Sequence, residues 1–366
     1  MKKILIVMQH FAPYRDATFQ KLKESGKYQL YFLLTTGNLS HKEWRYEPPA
    51  FQYQQASNKF VSIGAVGRLY QDYVKLLKNY KPDIVILSGD LLAVVYTKIF
   101  YSKIKVIYMA DTIRPGKSGE KKSNFWLLSK LYGMADGIWC TGKAGKKYFE
   151  YYTKGKIPIR EGCYTNDTNI IWKRYLEVSK EEVRNQYKIS DNEYVILFIG
   201  KLIRDRRVDR ILEIAELLEK ECLDIKVVIV GDGEKEDLVR QYQGKHKNLI
   251  YIQSVPVKEL EKMYRMADLY MYLGWEPYSL ALYEAAVVGL PIIAMQNVGA
   301  VYDCLESEVN GFSIREYNKE EILMKIKKAK SGYYNDGAKK ISDFIKEKRG
   351  VAWAAKELEY LIQGEL

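Results

Sequence analysis

Short apolar runs rich in β-branched residues alternate with longer helical patterns along most of this chain. No other feature restricts its fold as strongly. In the first half the strand candidates are KKILIVMQ (2–9), YQLYFLLTT (28–36), DIVILSG (83–89), KVIYMAD (105–111) and GIWCTG (137–142). Between them lie the helical patterns ATFQKLKES, GRLYQDYVKLLKNY, DLLAVVYTKIFYSK and NFWLLSKLYGM. The second half repeats the alternation with EYVILFIG (193–200), IKVVIVGDG (225–233), NLIYIQS (248–254), ADLYMYLG (267–274) and PIIAMQ (291–296). Continuous apolar strands separated by helices predict parallel sheets covered on both faces. The segment at about 165–190 is polar and reads as a linker followed by a short helix, KEEVRNQYKI. The expected fold class is therefore α/β, with two Rossmann-like halves. The expected boundaries are 1–170, 171–348 and a last helix, 349–366, that crosses back to the first half. Ligands of open α/β sheets sit at the carboxyl ends of the strands, so the cleft between two such halves is the expected binding place.

The chain has 366 residues, which at roughly 100–200 per domain agrees with two domains. The opening MKKILIVMQHFAPYR resembles a signal peptide at first sight. Its apolar run is too short and lacks a small-residue cleavage site, so it reads better as a first buried strand. No stretch approaches the ~18 apolar residues of a membrane span. Cys140, Cys163, Cys222 and Cys304 are far apart and show no metal-ligand spacing, as expected of a cytoplasmic enzyme. The net charge of +12 is uneven. Residues 1–175 hold 29 Lys and Arg against 13 Asp and Glu, and the remainder 29 against 33. A basic first half suits an anionic partner such as a membrane surface, a nucleic acid or an acidic substrate, and equally suits a solvated surface.

The stretch GWEPYSLALYEAAVVGLPIIA (274–294) is almost wholly apolar yet carries Glu276 and Glu284. Gly289 followed by Leu-Pro ends a helix, and Pro277 favours a turn before it, so the helix is predicted at about Ser279 to Val288. Glu276 then lies in the preceding loop, and Glu284 about 7–8 Å along the helix axis. The helix is apolar nearly all round, so Glu284 needs partners. A carboxylate accepts two hydrogen bonds side by side, and a ribose offers two adjacent hydroxyls. The N–H groups near Tyr278, Ser279 and Leu280 make an anion site at the helix start. A Glu284 paired with a structural arginine and a Glu276 on an exposed loop would fit the same residues.

A second candidate site is IGKLIRDRRVDR (199–210), which follows a strand and opens a helix. Lys201 and Arg206 bracket a short loop there and could hold a diphosphate. Arg204, Arg207 and Arg210 are equally charged, so a solvated basic turn is the alternative. Gly231-Asp232-Gly233 is a tight turn after a strand, and turn geometry explains it about as well as ligand contact does.

In order, FIGKLIRDRRVD, VVIVGDGEKEDL, YIQSVPVKELEKMYRMADLYMYL, EPYSLALYEAAVVGLPIIA and VNGF resemble the retaining nucleotide-sugar glycosyltransferases of family 4, within the glycosyl transferases group 1. The likeness spans about 195–314. MQHFAPYRDATFQKL is similar to the PYR-type opening of some bacterial members. The resemblance implies the GT-B architecture, two Rossmann-like domains facing across a cleft. It places the Glu-x7-Glu motif on Glu276, at the donor sugar, and Glu284, at the ribose. The basic pair falls on Lys201 and Arg206 at the diphosphate, the base-holding loop on Ser254 and Val255, and backbone contacts to phosphate and sugar on Tyr278, Ser279 and Leu280. The acceptor-side candidates are Tyr14, Arg15 and Asp111, with His10 at the end of the first strand, which reads equally as a polar loop residue.

The chain also departs from the family pattern. Lys201 stands where an arginine is commoner. Arg207 replaces a usual glycine, so a differently shaped backbone is expected there. HFAPYR replaces a glycine pair, and a histidine often found in the first domain has no counterpart, Asp111 lying near its position.

The expected activity is hexosyl transfer, with retention, from a nucleoside diphosphate sugar such as a UDP-sugar to a glycan or lipid-linked hydroxyl in bacterial surface polysaccharide synthesis. No cofactor and no metal are expected, since no Asp-x-Asp pair is evident and the basic pair would stabilise the leaving diphosphate. Peripheral contact with an anionic membrane, at its inner face, is expected through the basic first half, with RPGKSGEKKSNFWLLSKLYGM (114–134) as the candidate; an ordinary helix covering the sheet is the alternative reading of that stretch. The alternatives are another GT-B enzyme such as a nucleotide-sugar epimerase, or a non-catalytic basic nucleic-acid-binding protein. No nucleic-acid partner is expected, because clustered base-stacking motifs are lacking.

Overall fold

The computed structural model describes residues 1–36, 47–113 and 122–364. The chain divides into two compact units, Met1–Asn166 with Val351–Leu366, and Asp167–Gly350. The membrane candidate lies partly outside the described residues, since 114–121 are not among them.

The first unit contains strands β1 (Lys2–Met8), β2 (Tyr28–Leu34), β3 (Gln52–Gln55), β4 (Phe60–Ile63), β5 (Gly67–Tyr70), β6 (Ile84–Ser88), β7 (Lys105–Ala110), β8 (Gly137–Cys140) and β9 (Ile159–Glu161). Its helices are α1 (Pro13–Glu24), α2 (Gln71–Asn79), α3 (Leu91–Phe100), α4 (Lys122–Tyr132) and α5 (Gly142–Thr153), together with the last helix of the chain, α15 (Val351–Gln363). Seven strands form one parallel sheet in the order β3-β2-β1-β6-β7-β8-β9, and β4 and β5 form a separate antiparallel hairpin. The strands read as unbroken apolar runs because alternate residues feed two cores. Leu5, Val7, Val85 and Leu87 join the core on one face, and Ile4, Ile6, Met8, Ile84 and Ile86 that on the other. Leu358, Leu361 and Ile362 of α15 complete the second of these cores beside Phe19 and Leu22 of α1.

The second unit contains α6 (Thr168–Glu177), α7 (Lys180–Gln186), β10 (Tyr194–Ile199), α8 (Val208–Lys220), β11 (Ile225–Val230), α9 (Glu236–Gln243), β12 (Leu249–Ile252) and α10 (Leu260–Met266). It continues with β13 (Leu269–Tyr272), α11 (Leu280–Val287), β14 (Ile292–Met295), α12 (Val301–Cys304), β15 (Gly311–Ile314), α13 (Lys319–Lys330) and α14 (Asn335–Lys348). All six strands are parallel, in the order β12-β11-β10-β13-β14-β15. This is the Rossmann order 3-2-1-4-5-6, whose direction reverses between β10 and β13.

Two expectations need correction. The predicted helix over 67–80 starts only at Gln71, because GRLY pairs with Phe60–Ile63 as the hairpin strand β5. The predicted linker holds a helix, α6, capped by the Asp167 carboxylate, which accepts from the Asn169 and Ile170 amides. Half of its residues are apolar, but only Ile171 of these is buried, so they mark no single core-facing stripe.

A buried arginine ties α7 to the sheet. Arg184 is 3% exposed and donates through Nε to the Met266 carbonyl at 3.1 Å, through Nη1 to the Asp191 and Glu193 carbonyls, and through Nη2 to Asp268 Oδ2 at 2.6 Å. The same carboxylate oxygen accepts the first amide of the apolar run of β10, Val195 N, at 2.8 Å. Arg184→Ala is expected to cost about 3 kcal/mol, because it leaves three carbonyls without this donor and removes the buried cation from Asp268, which keeps Lys180 and the Val195 amide. The change should appear as a lower urea midpoint, with Arg184→Lys recovering less than half of it. An unshifted midpoint would show that the clamp is dispensable.

Candidate active site

The loops that leave β10 and β13 emerge side by side where the strand order reverses, and each carries one part of a charged cluster. After β10 the chain passes Lys201, which is exposed, and turns through a single 3-10 turn at Arg204–Arg206. After β13 it passes Gly274 and Trp275 to Glu276. Arg206 joins the two loops. Its Nη2 donates to Glu276 Oε1 at 2.9 Å and its Nη1 to the Trp275 carbonyl at 2.7 Å. The pair is partly shielded, with side chains 16% and 24% exposed. The Trp275 amide returns a bond to the Asp205 carbonyl at 2.8 Å. Gly274 lies so close to the Arg206 backbone that a Cβ there would collide with the Arg206 carbonyl and Cα.

The Gly231-Asp232-Gly233 turn supports the basic loop from below. Both glycines have positive φ, and a Cβ on either would strike the backbone of Gly200 or Leu202. Leu202 N donates to the Asp232 carbonyl at 2.7 Å, and Lys235 N donates to the Leu202 carbonyl at 2.9 Å. Close backbone approach is thus a sufficient reason for these glycines.

Past Glu276, Ser279 caps α11, its hydroxyl accepting from Leu282 N at 3.3 Å. The helix runs Leu280–Val287, and Gly289 follows with φ +81°, as the apolar pattern and Gly-Leu-Pro predict. The Tyr278 ring is buried and packs near Tyr283. Ser254 and Val255 lie in the loop after β12 and are half-buried.

Glu284 is 8% exposed. The Tyr264 hydroxyl of α10 donates to its Oε2 at 2.7 Å. Burial pushes the carboxyl up to about 7, against the smaller lowering effect of that bond, and nearby Glu261 pushes it further up. A second hydroxyl, Tyr272 on β13, donates to Glu276 Oε2 at 3.0 Å. Tyr270, one pleat earlier, feels the charge of both glutamates, and its hydroxyl donates to the Ile199 carbonyl at 3.2 Å. Lys201, Arg206, Glu276, Ser279 and Glu284 therefore belong to one region at the carboxyl end of this sheet.

The first unit gathers its own candidates after β1. Arg15, 3% exposed, donates through Nη2 to the His10 carbonyl at 2.9 Å. Its guanidinium lies over the Tyr14 and Tyr164 rings, at 5.1 and 5.6 Å from their centroids. The Tyr164 hydroxyl donates to Asp111 Oδ2 at 3.3 Å, so Asp111 joins the same cluster. His10 is buried beside it, in the loop between β1 and α1.

Residues 179–349 match the family model described as glycosyl transferases group 1. The second unit is a group 1 glycosyltransferase domain. A Methanocaldococcus jannaschii protein named as an uncharacterized glycosyltransferase is 28% identical over 162 residues, which cover 43% of this chain and 39% of its own length. A Klebsiella pneumoniae protein, named as an uncharacterized 41.2 kDa protein in a cps region, is 22% identical over 302 residues, covering 78% of this chain and 80% of its own. Among solved structures, Anabaena Alr3699/HepE in complex with UDP and glucose superposes with a TM-score of 0.74, at 14% identity, over 100% of both chains. The fold is thus that of the GT-B glycosyltransferases, as the motif order implies.

Several residues of these two clusters escape sequence reading. Tyr264, Tyr270 and Tyr272 look like core aromatics, and only their hydroxyls reveal the connection to the glutamates. The signal available was the period of two in LYMY, which turns Tyr270 and Tyr272 to one face of β13 beneath the loop. Tyr164 gives no signal, since its partners at 14, 15 and 111 meet it only in space. The expected change of backbone shape at Arg207 is not found in the form anticipated. Arg207 takes φ +50° and ψ +45°, the left-handed conformation that glycine favours.

Glu284 gives the site a pH signature. Its proton is held to about 7 in the folded chain against 4.5 in the unfolded chain. The stability that this group contributes is therefore full below about pH 4.5 and is lost as pH rises through 7. The loss is about 3 kcal/mol at most. Glu284→Gln removes the titration, so the melting temperature of the variant minus that of the wild type should climb between pH 5 and pH 8. A difference that stays flat over that range would mean that Glu284 is not held protonated.

Proposed function

We propose that this chain is a retaining glycosyltransferase of family 4 that moves a hexose from a nucleoside diphosphate sugar to a hydroxyl of a glycan or lipid-linked acceptor. The observation that carries the reading is the convergence of Arg206, Glu276 and Glu284 at the point where the sheet of the second unit reverses direction. Glu284 accepts the ribose hydroxyls, and Ser254 and Val255 hold the base through backbone. The diphosphate lies against Lys201, Arg206 and the start of α11 at Tyr278, Ser279 and Leu280. Glu276 accepts from the donor sugar.

In the chemical step the bond between the anomeric carbon and the diphosphate oxygen breaks, and its electron pair leaves with the phosphate. The acceptor oxygen bonds to the same face of the anomeric carbon and gives its proton to the departing phosphate oxygen. Lys201 and Arg206 stabilise the charge that grows there, the role elsewhere filled by a metal ion. The Anabaena structure holds UDP and glucose, which favours UDP as the nucleotide. The Klebsiella relative is named for a cps region, which favours an acceptor of bacterial surface polysaccharide. His10, Tyr14, Arg15 and Asp111 of the first unit are the proposed acceptor side.

The first unit also suits contact with an anionic membrane. Ile99 and Phe100 of α3, Trp126 and Leu127 of α4 and Tyr151 of α5 are exposed apolar residues on neighbouring helices. Lys130 lies over the Trp126 ring at 3.9 Å, and Lys147 is one helical turn from Tyr151. Among the described residues no helix is long and apolar enough to cross a membrane, so the proposed attachment is at the surface. Each such lysine adds about 1 kcal/mol near an anionic bilayer.

A thermal-shift screen with UDP, GDP and their glucose and mannose conjugates tests the donor assignment. One nucleotide should raise the melting point of the wild type and leave Glu284→Ala unmoved. Arg206→Ala should keep that binding within a few-fold and lose about 10²–10³ in kcat. Equal turnover in the Glu284→Ala variant would remove the donor assignment, and donor consumption without any acceptor would indicate an epimerase. Flotation with phosphatidylglycerol vesicles should show binding that falls with salt and with Trp126→Ser. Its absence at low salt would exclude the membrane.

A further inference from the structure

Arg206 is aimed by the residue that follows it. Arg207 is one of six non-glycine residues with positive φ among those described, and it alone adjoins the charged cluster. It sits between the 3-10 turn Arg204–Arg206 and the first residue of α8. Its amide closes the turn on the Arg204 carbonyl at 3.2 Å, and its carbonyl accepts from Arg210 N at 2.9 Å to start the helix. The left-handed residue is thus the hinge at which the chain stops running along the mouth of the sheet and turns away as α8. In the ordinary right-handed region the turn would continue into the helix, and Arg206 would rotate off the Glu276 loop.

The side chain of Arg207 secures that conformation. Its Nε and Nη2 donate to Asp209 Oδ2 at 2.9 and 2.7 Å. Lys235 Nζ holds the other oxygen of Asp209 at 3.4 Å. Asp209 lies in the first turn of α8, where a carboxylate also favours the helix dipole. The short reach from 207 to 209 is open to the guanidinium because residue 207 is outside the helix. On the other flank Gly274 leaves no room for the Arg206 backbone to shift.

Accepting the reading of Arg206 given above, we propose that Arg207 is a positioning residue for the transfer reaction. Its left-handed backbone, locked by the chelate to Asp209, holds the Arg206 guanidinium at the place where the leaving group's charge develops. Its own charge is spent on Asp209, so what the reaction needs at 207 is a backbone conformation. A side chain that tolerates φ near +50° should therefore serve, and one that resists it should not.

The test is a series at one position, Arg207→Gly, Arg207→Asn, Arg207→Ala and Arg207→Val, assayed by UDP release from UDP-glucose. Gly and Asn should stay within threefold of wild type in kcat. Ala should fall further and Val at least tenfold, with the donor KM changed less than threefold throughout. If Val does not fold, the contrast of Ala with Gly decides. A Val variant within twofold of wild type, or a Gly variant as impaired as Val, would overturn the proposal. Absence of UDP release by the wild type would instead count against UDP-glucose as donor. Crystal structures of the Gly and Ala variants then judge the inference alone. The bond between Arg206 and Glu276 should persist in the first and be broken or lengthened in the second, and an unchanged bond in both would refute it.

Discussion

The contact between Arg206 and the segment Trp275–Glu276 is the interaction on which the rest of the site depends. It spans the two loops that leave β10 and β13, neighbouring strands whose helices diverge to opposite sides of the sheet. A parallel sheet with a reversal leaves a crevice there, because no crossover covers it. The arginine closes that crevice at its base and is shielded enough for its charge to act at low effective dielectric. The Gly231-Asp232-Gly233 turn, the bare Cα of Gly274 and the hinge at Arg207 all serve to bring these two backbones within reach of one guanidinium.

A carboxylate buried in an apolar helix is tolerated at a cost, and the kind of partner it has decides what it can do. The Tyr264 hydroxyl donates to Glu284, and burial outweighs the lowering effect of that bond and brings its proton affinity to about 7. Such a group can exchange a proton for a pair of hydroxyl donors near neutral pH. Glu276, bonded to Arg206 and Tyr272, is held as an acceptor beside a cation. Two glutamates eight positions apart thus have different electrostatic settings, and the difference comes from which neighbours the sheet and α10 supply.

The strands that build both sheets were largely legible in the sequence, because a strand buried on both faces is an apolar run whatever its surroundings. KKILIVMQ and EYVILFIG needed only trimming at their ends to become β1 and β10. Short and edge elements were not legible. QYQQ of β3 is a polar edge strand, and GRLY became part of a hairpin through pairing with residues that precede it. The helix around Glu284 was legible from Ser279, Gly289 and Pro291, which punctuate it. The hydroxyl network beneath it was not, since Tyr264, Tyr270 and Tyr272 satisfy a core as well as a site. The hinge at Arg207 was hidden for a related reason. Composition marks it as one more cation in a basic loop, and only its dihedral angles separate a backbone role from a charge role.

Charge in this protein acts through local arrangement more than through totals. Residues 176–366 carry 29 basic against 33 acidic side chains, a balance that would weakly repel an anionic nucleotide. At physiological salt that balance is screened beyond about 8 Å. Within such a distance the loop 201–210 presents five basic side chains against two acidic ones. Asp209 engages Arg207 and Lys235, away from the contact that Arg206 makes. A diphosphate arriving at the reversal point would therefore meet Lys201 and Arg206 before it meets the mean charge of the unit. The strongly basic half of the chain is the other one, and an attraction spread over a whole surface suits a broad anionic partner better than it suits one small ligand.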